Sequence, residues 1–206
     1  MNLAGCILKR AGWRFVLNMP LPRKCMICVA PHTSNWDFVV GELCIRSVGM
    51  NAGFLMKSTW FFFPLGVLLR ALGGVPVPRL SKVQARLRQK GISLDASLPG
   101  GSEVSRHLTQ GLVQEFARHK TLALAVTPEG TRSLTENWHK GVLVISQQAR
   151  VPIMLAYLDY REKVACIDRL FTPTGDLQAD MLAIKRYYQD HGHAKYLEKF
   201  TTGLEN

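Results

Sequence analysis

Residues 25–37 read CMICVAPHTSNWD: a short apolar run, a polar turn and the start of an apolar-periodic segment. An apolar run of this length that ends at a turn indicates one buried strand over residues 25–30. The apolar residues that follow recur at helical spacing, which predicts a helix over residues 34–48 with Thr33 or Ser34 as its N-cap. A strand that passes through a turn into a helix is the repeating unit of an α/β fold.

His32 lies on this strand-to-helix turn, a position where α/β proteins place much of their chemistry. On one continuous helix, a spacing of five would rotate His32 and Asp37 apart by roughly 140°, so they meet only if His32 precedes the helix. A histidine held by a carboxylate has a fixed tautomer and can act as a general base. A histidine that only caps the turn beside an unrelated aspartate fits these residues equally well.

Further strand and helix patterns alternate along the chain, and no shift in composition marks a second domain. This alternation predicts an α/β fold, with a single domain in which helices flank a mostly parallel sheet. We assign residues 1–24 to a basic amphipathic N-terminal segment and residues 25–206 to the domain. Further strands are predicted over 53–57, 73–79, 121–126, 151–160 and 163–167, and further helices over 105–120, 140–149 and 178–191.

A second polar turn follows the strand predicted over residues 121–126 and contains Glu129, Gly130, Thr131 and Arg132. Gly130 allows the backbone to turn or to approach a ligand closely. The guanidinium of Arg132 can donate two hydrogen bonds to a phosphate or carboxylate, and Glu129 can hold that arginine or accept from a substrate hydroxyl. The alternative is a surface turn with a local salt bridge.

Arg79 ends the strand predicted over residues 73–79, whose two prolines indicate an edge or irregular strand. In a parallel sheet, the carboxyl end of this strand and the ends before the two turns lie on one edge. His32, Arg79 and Arg132 would then converge on one crevice, with a base beside two cations. Such a crevice suits a hydroxyl compound that carries an anionic group.

The composition favours a basic globular protein. The 206 residues carry 26 Lys and Arg against 15 Asp and Glu, a formal net charge of +11. This excess indicates an anionic partner, such as nucleic acid, a phospholipid surface or an acidic protein, but no RNA-binding aromatic motif or zinc knuckle accompanies it. Five cysteines without the spacing of a redox or zinc site are typical of buried thiols in a reducing, cytosolic compartment. No signal peptide or transmembrane helix is predicted.

Two segments mix apolar and basic residues. Residues 1–24 hold five Lys and Arg and no acid, and either form a short amphipathic helix on anionic lipid or pack on the domain. Residues 60–69 read WFFFPLGVLL, a block too short to span a bilayer. Because large exposed apolar patches are rare on soluble monomers, this block is predicted to belong to the core, and any exposed part would suit an acyl chain or a membrane.

The two turns resemble sequence blocks of the glycerolipid acyltransferases, the family that contains 1-acylglycerol-3-phosphate acyltransferase. His32 and Asp37 match the H-x4-D motif of that family, and residues 129–132 match its E-G-T-R block. Residues 73–79, GGVPVPR, resemble the second block, which ends in arginine, and residues 151–153 resemble the start of the fourth. Four blocks in the order of the family make the resemblance specific.

The resemblance implies transfer of a fatty acyl group from an acyl thioester, either acyl-CoA or acyl carrier protein, to the hydroxyl of a lysophospholipid-like acceptor, without a metal or redox cofactor. His32 would deprotonate the acceptor hydroxyl and Asp37 would orient His32. Oxyanion donors are expected at the backbone near Ser34 and Asn35. The implied location is peripheral, on the inner face of the cell membrane, with an anionic membrane surface and acyl carrier protein as partners and no nucleic acid. Acceptor binding is assigned to Arg79, Glu129, Gly130, Thr131 and Arg132.

The sequence departs from the family at two positions. Pro78 stands where many relatives have an acidic residue, and Leu155 stands where the fourth block often has a second proline. The departures bear on the acceptor, for which lysophosphatidic acid is the family default and a lyso-aminolipid hydroxyl is the rival. Two alternatives of other classes are a non-catalytic basic module that binds membrane or nucleic acid, and a phosphate-ester hydrolase.

Overall fold

The computed structural model describes residues 2–77, 103–191 and 193–204. Within these ranges, helices cover both faces of a seven-stranded sheet. The strands are β1 (Arg14–Leu17), β2 (Lys24–Val29), β3 (Ala52–Lys57), β4 (Gly74–Val77), β5 (Leu122–Val126), β6 (Ile153–Asp159) and β7 (Val164–Phe171). The helices are α1 (Leu3–Arg10), α2 (Asn35–Ser47), α3 (Leu65–Ala71), α4 (Glu103–Arg118), α5 (Gly141–Ala149) and α6 (Leu177–His191), with 3-10 turns at Ser58–Trp60 and Leu197–Lys199.

The strand order is β1-β7-β6-β2-β5-β3-β4. Strands β6, β2, β5, β3 and β4 run parallel to one another, whereas β7 pairs antiparallel with β6 and β1 pairs parallel with β7. The predicted α/β fold with a mostly parallel sheet is therefore confirmed, and the Pro76-containing β4 lies at the edge of the described sheet, as its prolines indicated. Because β2 is the central strand, the turn that follows it lies at the middle of the sheet edge where the parallel strands have their carboxyl ends.

The core has two layers because alternate side chains of each strand point to opposite faces. From β2, Met26 and Cys28 pack with apolar residues of α4, α5 and α6. Cys25 and Ile27 point to the opposite face, where they belong to a buried cluster that includes Ile45 of α2. Burial on both faces explains why β2 reads as an uninterrupted apolar run.

The N-terminal segment contributes a strand that the sequence did not predict. Strand β1 extends the sheet by pairing with β7 from Arg14↔Val164 to Leu17↔Ile167. Helix α1 packs on α2 through the buried Leu8, while Leu3 remains 77 % exposed. This position agrees with the interpretation that the segment packs on the domain. None of the described helices is long and apolar enough to cross a bilayer.

The aromatic block at residues 60–69 corrects a second expectation. Its assignment to the core is wrong for most of its length, because Phe62, Phe63, Val67 and Leu68 are exposed. The block begins at the end of the 3-10 turn and continues into the short helix α3. In α3, Gly66 and Leu69 are the buried residues. The exposed positions therefore form a surface.

Candidate active site

The turn between β2 and α2 is fixed by a capping box. Ser34 is the N-cap of α2, and its Oγ accepts the Trp36 N–H at 3.2 Å. In return, Oδ2 of Asp37 accepts the N–H groups of Ser34 and Thr33, each at 2.8 Å. These bonds satisfy donors that a helix start leaves unpaired, so the local sequence itself holds the Asp37 carboxylate in front of the helix.

The structure brings His32 and Asp37 together. Nδ1 of His32 lies 3.2 Å from Oδ2 of Asp37, with side-chain exposures of 15 % and 2 %. Contact across a spacing of five is possible because His32 precedes the N-cap and Asp37 occupies the first helical turn. With Nδ1 turned to the carboxylate, Nε2 is the ring nitrogen available to a substrate.

Tyr160 is a further member of this site that the sequence analysis missed. It follows β6 directly, and its hydroxyl donates to Oδ1 of Asp37 at 2.6 Å. Burial and this hydrogen bond raise the pKa of Tyr160, so the phenol stays a donor. Its signal was present: Tyr160 lies at the carboxyl end of a predicted strand, as His32 and Glu129 do.

Asp37 remains an anion despite its burial. Burial alone would raise its pKa, but hydrogen bonds from His32, Tyr160 and the Ser34 N–H outweigh that effect and lower the pKa below its ordinary value. An ionised carboxylate favours the Nδ1–H tautomer of His32 and would stabilise an imidazolium formed there.

Glu129 has a different position from the one expected. It is buried, and its Oε2 accepts the backbone N–H of His32 at 2.8 Å, which ties the two turns together. Burial and the neighbouring Asp37 charge raise the pKa of Glu129 to about 8, although the His32 N–H opposes the shift. Among the ion pairs of residues 2–77, 103–191 and 193–204, none joins Glu129 to Arg132.

The remainder of the second turn lines the same cavity as His32. Gly130 has φ +62°, and a Cβ there would lie 2.6 Å from the His139 ring, so glycine is required for both conformation and space. Thr131 and Arg132 also line the cavity. Nε of Arg132 is buried and has no hydrogen-bond partner in the described part of the chain. An unpaired buried cationic donor beside a cavity is suited to bind an anion.

Arg79, the third predicted cation, lies outside the described residues. The backbone donor expected at Ser34 is engaged, because its N–H donates to Asp37. The structure thus brings His32 and Asp37 together with Gly130, Thr131 and Arg132 around one cavity, with Glu129 buried behind them.

The cavity has a volume of about 1460 Å³ and two kinds of lining. The polar part of the lining includes His32, Asp37, Arg132, His139 and Lys140. Much of the remaining lining is apolar and includes Phe38, Ile45, Phe54, Trp60, Phe62, Val142 and Ile145. A space with this lining suits a molecule that has both a charged group and a long apolar part.

The chain is similar to known proteins in its fold and in its sequence family. One of the solved structures to which the chain is similar is the 1-acyl-sn-glycerophosphate (LPA) acyltransferase PlsC from Thermotoga maritima. It matches with a TM-score of 0.54 at 15 % sequence identity, over 91 % of this chain and 76 % of PlsC, which shows a shared fold. No curated protein sequence matches the chain. The Acyltransferase family model matches residues 14–157, well over half of the chain. The protein therefore belongs to the Acyltransferase family.

Proposed function

We propose that the protein transfers a fatty acyl group from an acyl thioester, carried on CoA or on acyl carrier protein, to the hydroxyl of a lysophospholipid-like acceptor. The observation that carries the proposal is the His32–Asp37 pair, which faces a cavity with apolar walls and an unpaired Arg132 Nε–H. Membership of the Acyltransferase family supports the reaction class. The name of PlsC supports a lysophosphatidic acid acceptor, and a lyso-aminolipid remains the rival to be tested beside it.

The first step is a proton transfer. Nε2 of His32 takes the proton from the acceptor hydroxyl while its Nδ1–H donates to Asp37. The developing imidazolium is stabilised by the carboxylate, which three further donors hold in place: the N–H groups of Thr33 and Ser34 and the Tyr160 hydroxyl.

The second step forms the ester. The acceptor oxygen attacks the thioester carbonyl carbon, so that the C–O bond forms and the carbonyl becomes a tetrahedral oxyanion. Collapse of this intermediate breaks the C–S bond, and the departing thiolate takes the proton that His32 Nε2 holds. The products are an ester and a free thiol, and His32 returns to its starting state without an acyl-enzyme, a metal or a redox cofactor.

The two kinds of cavity lining match the two substrates. Arg132 and Lys140, which both line the cavity, supply cations for a phosphate or an equivalent anion on the acceptor. Phe38, Ile45 and Phe54 supply an apolar wall for the acyl chain. The net charge of +11 favours attachment of the protein to an anionic membrane surface, where a lysophospholipid acceptor would be embedded.

A panel of acceptors tests this function. The protein is incubated with labelled palmitoyl-CoA or palmitoyl carrier protein together with lysophosphatidic acid, a lyso-aminolipid or monoacylglycerol, and the lipid products are identified by mass. We expect a diacyl product with an anionic acceptor and release of free thiol in equal amount. Release of thiol without any acylated lipid would indicate a thioesterase and contradict the proposal.

Arg132→Ala should weaken the binding of an acceptor phosphate. Because a hydrogen bond to a charged group contributes about 1.5–3 kcal/mol, we expect KM for lysophosphatidic acid to rise by roughly 10- to 100-fold. The KM for monoacylglycerol, which has no phosphate, should change little. The matched control is Arg118→Ala, which removes an exposed arginine paired with Glu115 on α4. An equal rise for both acceptors would exclude a phosphate contact.

Tyr160→Phe should lower kcat without a comparable change in KM. The variant removes the hydroxyl that donates to Asp37 but keeps the ring, which packs edge-on with Trp13 at 5.0 Å. We expect kcat to fall by about tenfold, because the Asp37 carboxylate loses one of the donors that orient it. The fall should be no larger because the N–H groups of Thr33 and Ser34 still hold the carboxylate. Steady-state kinetics with saturating acyl donor measures kcat and the KM for the acceptor separately. Tyr196→Phe serves as a control at an exposed tyrosine. A rise in KM alone would contradict a positioning role.

A further inference from the structure

A cluster of large apolar side chains stands exposed beside the cavity. We name this cluster the aromatic face: the exposed side chains of the 3-10 turn, the loop after it and helix α3. Phe63 is 87 % exposed, which is extreme for a phenylalanine because solvent contact of so much apolar area is unfavourable. The members of the aromatic face are Trp60, Phe62, Phe63, Val67 and Leu68.

The residues that carry the aromatic face pack closely against one another on its buried side. A Cβ on Gly66 would lie 2.6 Å from the carbonyl carbon of Phe61, so the backbone of α3 packs directly on the preceding loop. Leu69 is buried on the same side, and the Arg70 guanidinium lies 5.4 Å from the centre of the Phe61 ring. The exposed residues are therefore displayed by a packed support.

The sequence segment that carries the aromatic face has charges of one sign. Residues 51–77 contain Lys57 and Arg70 and no Asp or Glu. Large apolar residues flanked by cations, with tryptophan among them, form the pattern by which peripheral proteins bind the headgroup boundary of an anionic bilayer.

The aromatic face also adjoins the cavity. Trp60 and Phe62 belong to both, and Lys57 and Thr59 line the cavity beside them. A lipid that enters along the aromatic face would keep its apolar chains out of water on the way to His32.

We propose that the aromatic face inserts into the surface of an anionic phospholipid bilayer and opens the cavity to it. This inference deepens the proposed function, since it names the surface by which the acceptor is delivered. A bilayer fits better than an acidic carrier protein because residues 51–77 carry five large exposed apolar side chains and two cations, so apolar contact outweighs charge on this segment.

The test compares a triple variant of the aromatic face with a double variant of helix α1, both at exposed positions. Phe63→Gln/Val67→Gln/Leu68→Gln removes apolar area from the aromatic face at positions that do not line the cavity. Leu3→Gln/Ile7→Gln removes exposed apolar area from α1 instead. Leu3 and Ile7 are 77 % and 44 % exposed, and they lie close in sequence to Lys9 and Arg10. Each protein is mixed with phosphatidylcholine vesicles, with or without phosphatidylglycerol, and the bound fraction is measured by flotation.

We expect the wild type to float with vesicles that contain phosphatidylglycerol, and the triple variant to bind them at least about tenfold more weakly, because interfacial binding scales with the apolar area inserted. The α1 variant should keep most of its binding. Circular dichroism and thermal melting check that both variants fold. Unchanged vesicle binding of the folded triple variant would overturn the inference, as would loss of binding in the α1 variant alone.

Activity separates this inference from the proposed function. With a short-chain acceptor dissolved in water, the triple variant should match the wild type, and with acceptor embedded in vesicles it should be at least about tenfold slower. Wild-type vesicle binding through the aromatic face without acyl transfer would reject the proposed function and keep the inference. Normal vesicle binding of the triple variant, with a loss of affinity for acyl carrier protein, would make this surface a carrier site and reject the inference.

Discussion

Replacing His32 by alanine is expected to lower kcat for acyl transfer by about 10³-fold or more, because general-base catalysis by a positioned side chain contributes roughly 10²–10⁴-fold. The fold should survive this change. The contact of His32 with Glu129 is made by its backbone N–H, which alanine retains, and the imidazole itself is partly exposed to the cavity. The loss should therefore appear in kcat, with KM for the acyl donor close to that of the wild type.

The measurement is thiol release from acyl-CoA, followed together with the acylated lipid by mass. His119→Ala is the matched control, since His119 is an exposed histidine just after α4 whose Nε2 lies 3.2 Å from Oε2 of Glu115. Residual activity of the His32→Ala variant should rise with pH, because a more ionised acceptor hydroxyl needs less help from a base. A His32→Ala variant that keeps a tenth or more of the wild-type kcat would remove His32 from the proposed mechanism.

Asp37→Asn is expected to have the second large effect, a loss of about 10³- to 10⁴-fold in kcat, as is typical when the carboxylate behind a catalytic histidine becomes an amide. The Asp37 carboxylate accepts from Thr33 N–H, Ser34 N–H, Tyr160 O–H and His32 Nδ1. An amide has a single oxygen to accept these donors, and its NH₂ group would meet at least one of them. If the NH₂ group faces His32, it favours the tautomer with the proton on Nε2, which cannot act as a base.

Stability measurements separate this chemical effect from damage to the helix cap. Because the pKa of Asp37 is lowered in the folded state, its ionised form stabilises the fold above the ordinary pKa of aspartate, and this contribution is lost as the pH falls through the lowered value. The asparagine does not titrate, so the Tm difference between wild type and variant should be widest at neutral pH and should narrow below about pH 4.

Asp176→Asn is the matched control for the cap. Its Oδ1 accepts the N–H groups of Gln178 and Ala179 at the start of α6, so the variant also weakens a helix start but lies outside the cavity lining. Asparagine keeps an oxygen that can accept both N–H groups, so this variant should lose only the favourable carboxylate charge at the helix start and should keep full kcat. An Asp37→Asn variant whose kcat falls no further than that of Asp176→Asn would reduce Asp37 to a capping residue.

Local sequence was sufficient to predict the strand, turn and helix around His32, because the signals that mark them, an apolar run and a helix cap, lie within a few residues of one another. The capping box needs only Ser34 and Asp37, which are three apart. Tyr160 could not be found in this way, since it reaches Asp37 from 123 positions along the chain through the pairing of β6 with β2.

The errors have the same origin. Strand β1 is four residues long and gains its partner from β7, at the far end of the chain, so its own sequence carries little information. Glu129 was expected to hold Arg132 or to accept from a substrate hydroxyl, but its carboxyl group is buried and accepts the His32 N–H, a contact 97 positions along the chain, and burial raises its pKa. The aromatic face was assigned to the core because composition reports how apolar a segment is and not what covers it.

The segment that ends in strand β1 forms part of the support for the His32–Asp37 pair. Trp13, immediately before β1, stands at 89° to the ring of Tyr160, whose hydroxyl in turn holds Asp37. A shortened protein that began at residue 25, with the first buried strand, would keep His32 and Asp37 but would lack the indole that braces this phenol and would leave one side of β7 bare. The smallest fragment able to retain the whole assembly must therefore start ahead of Trp13.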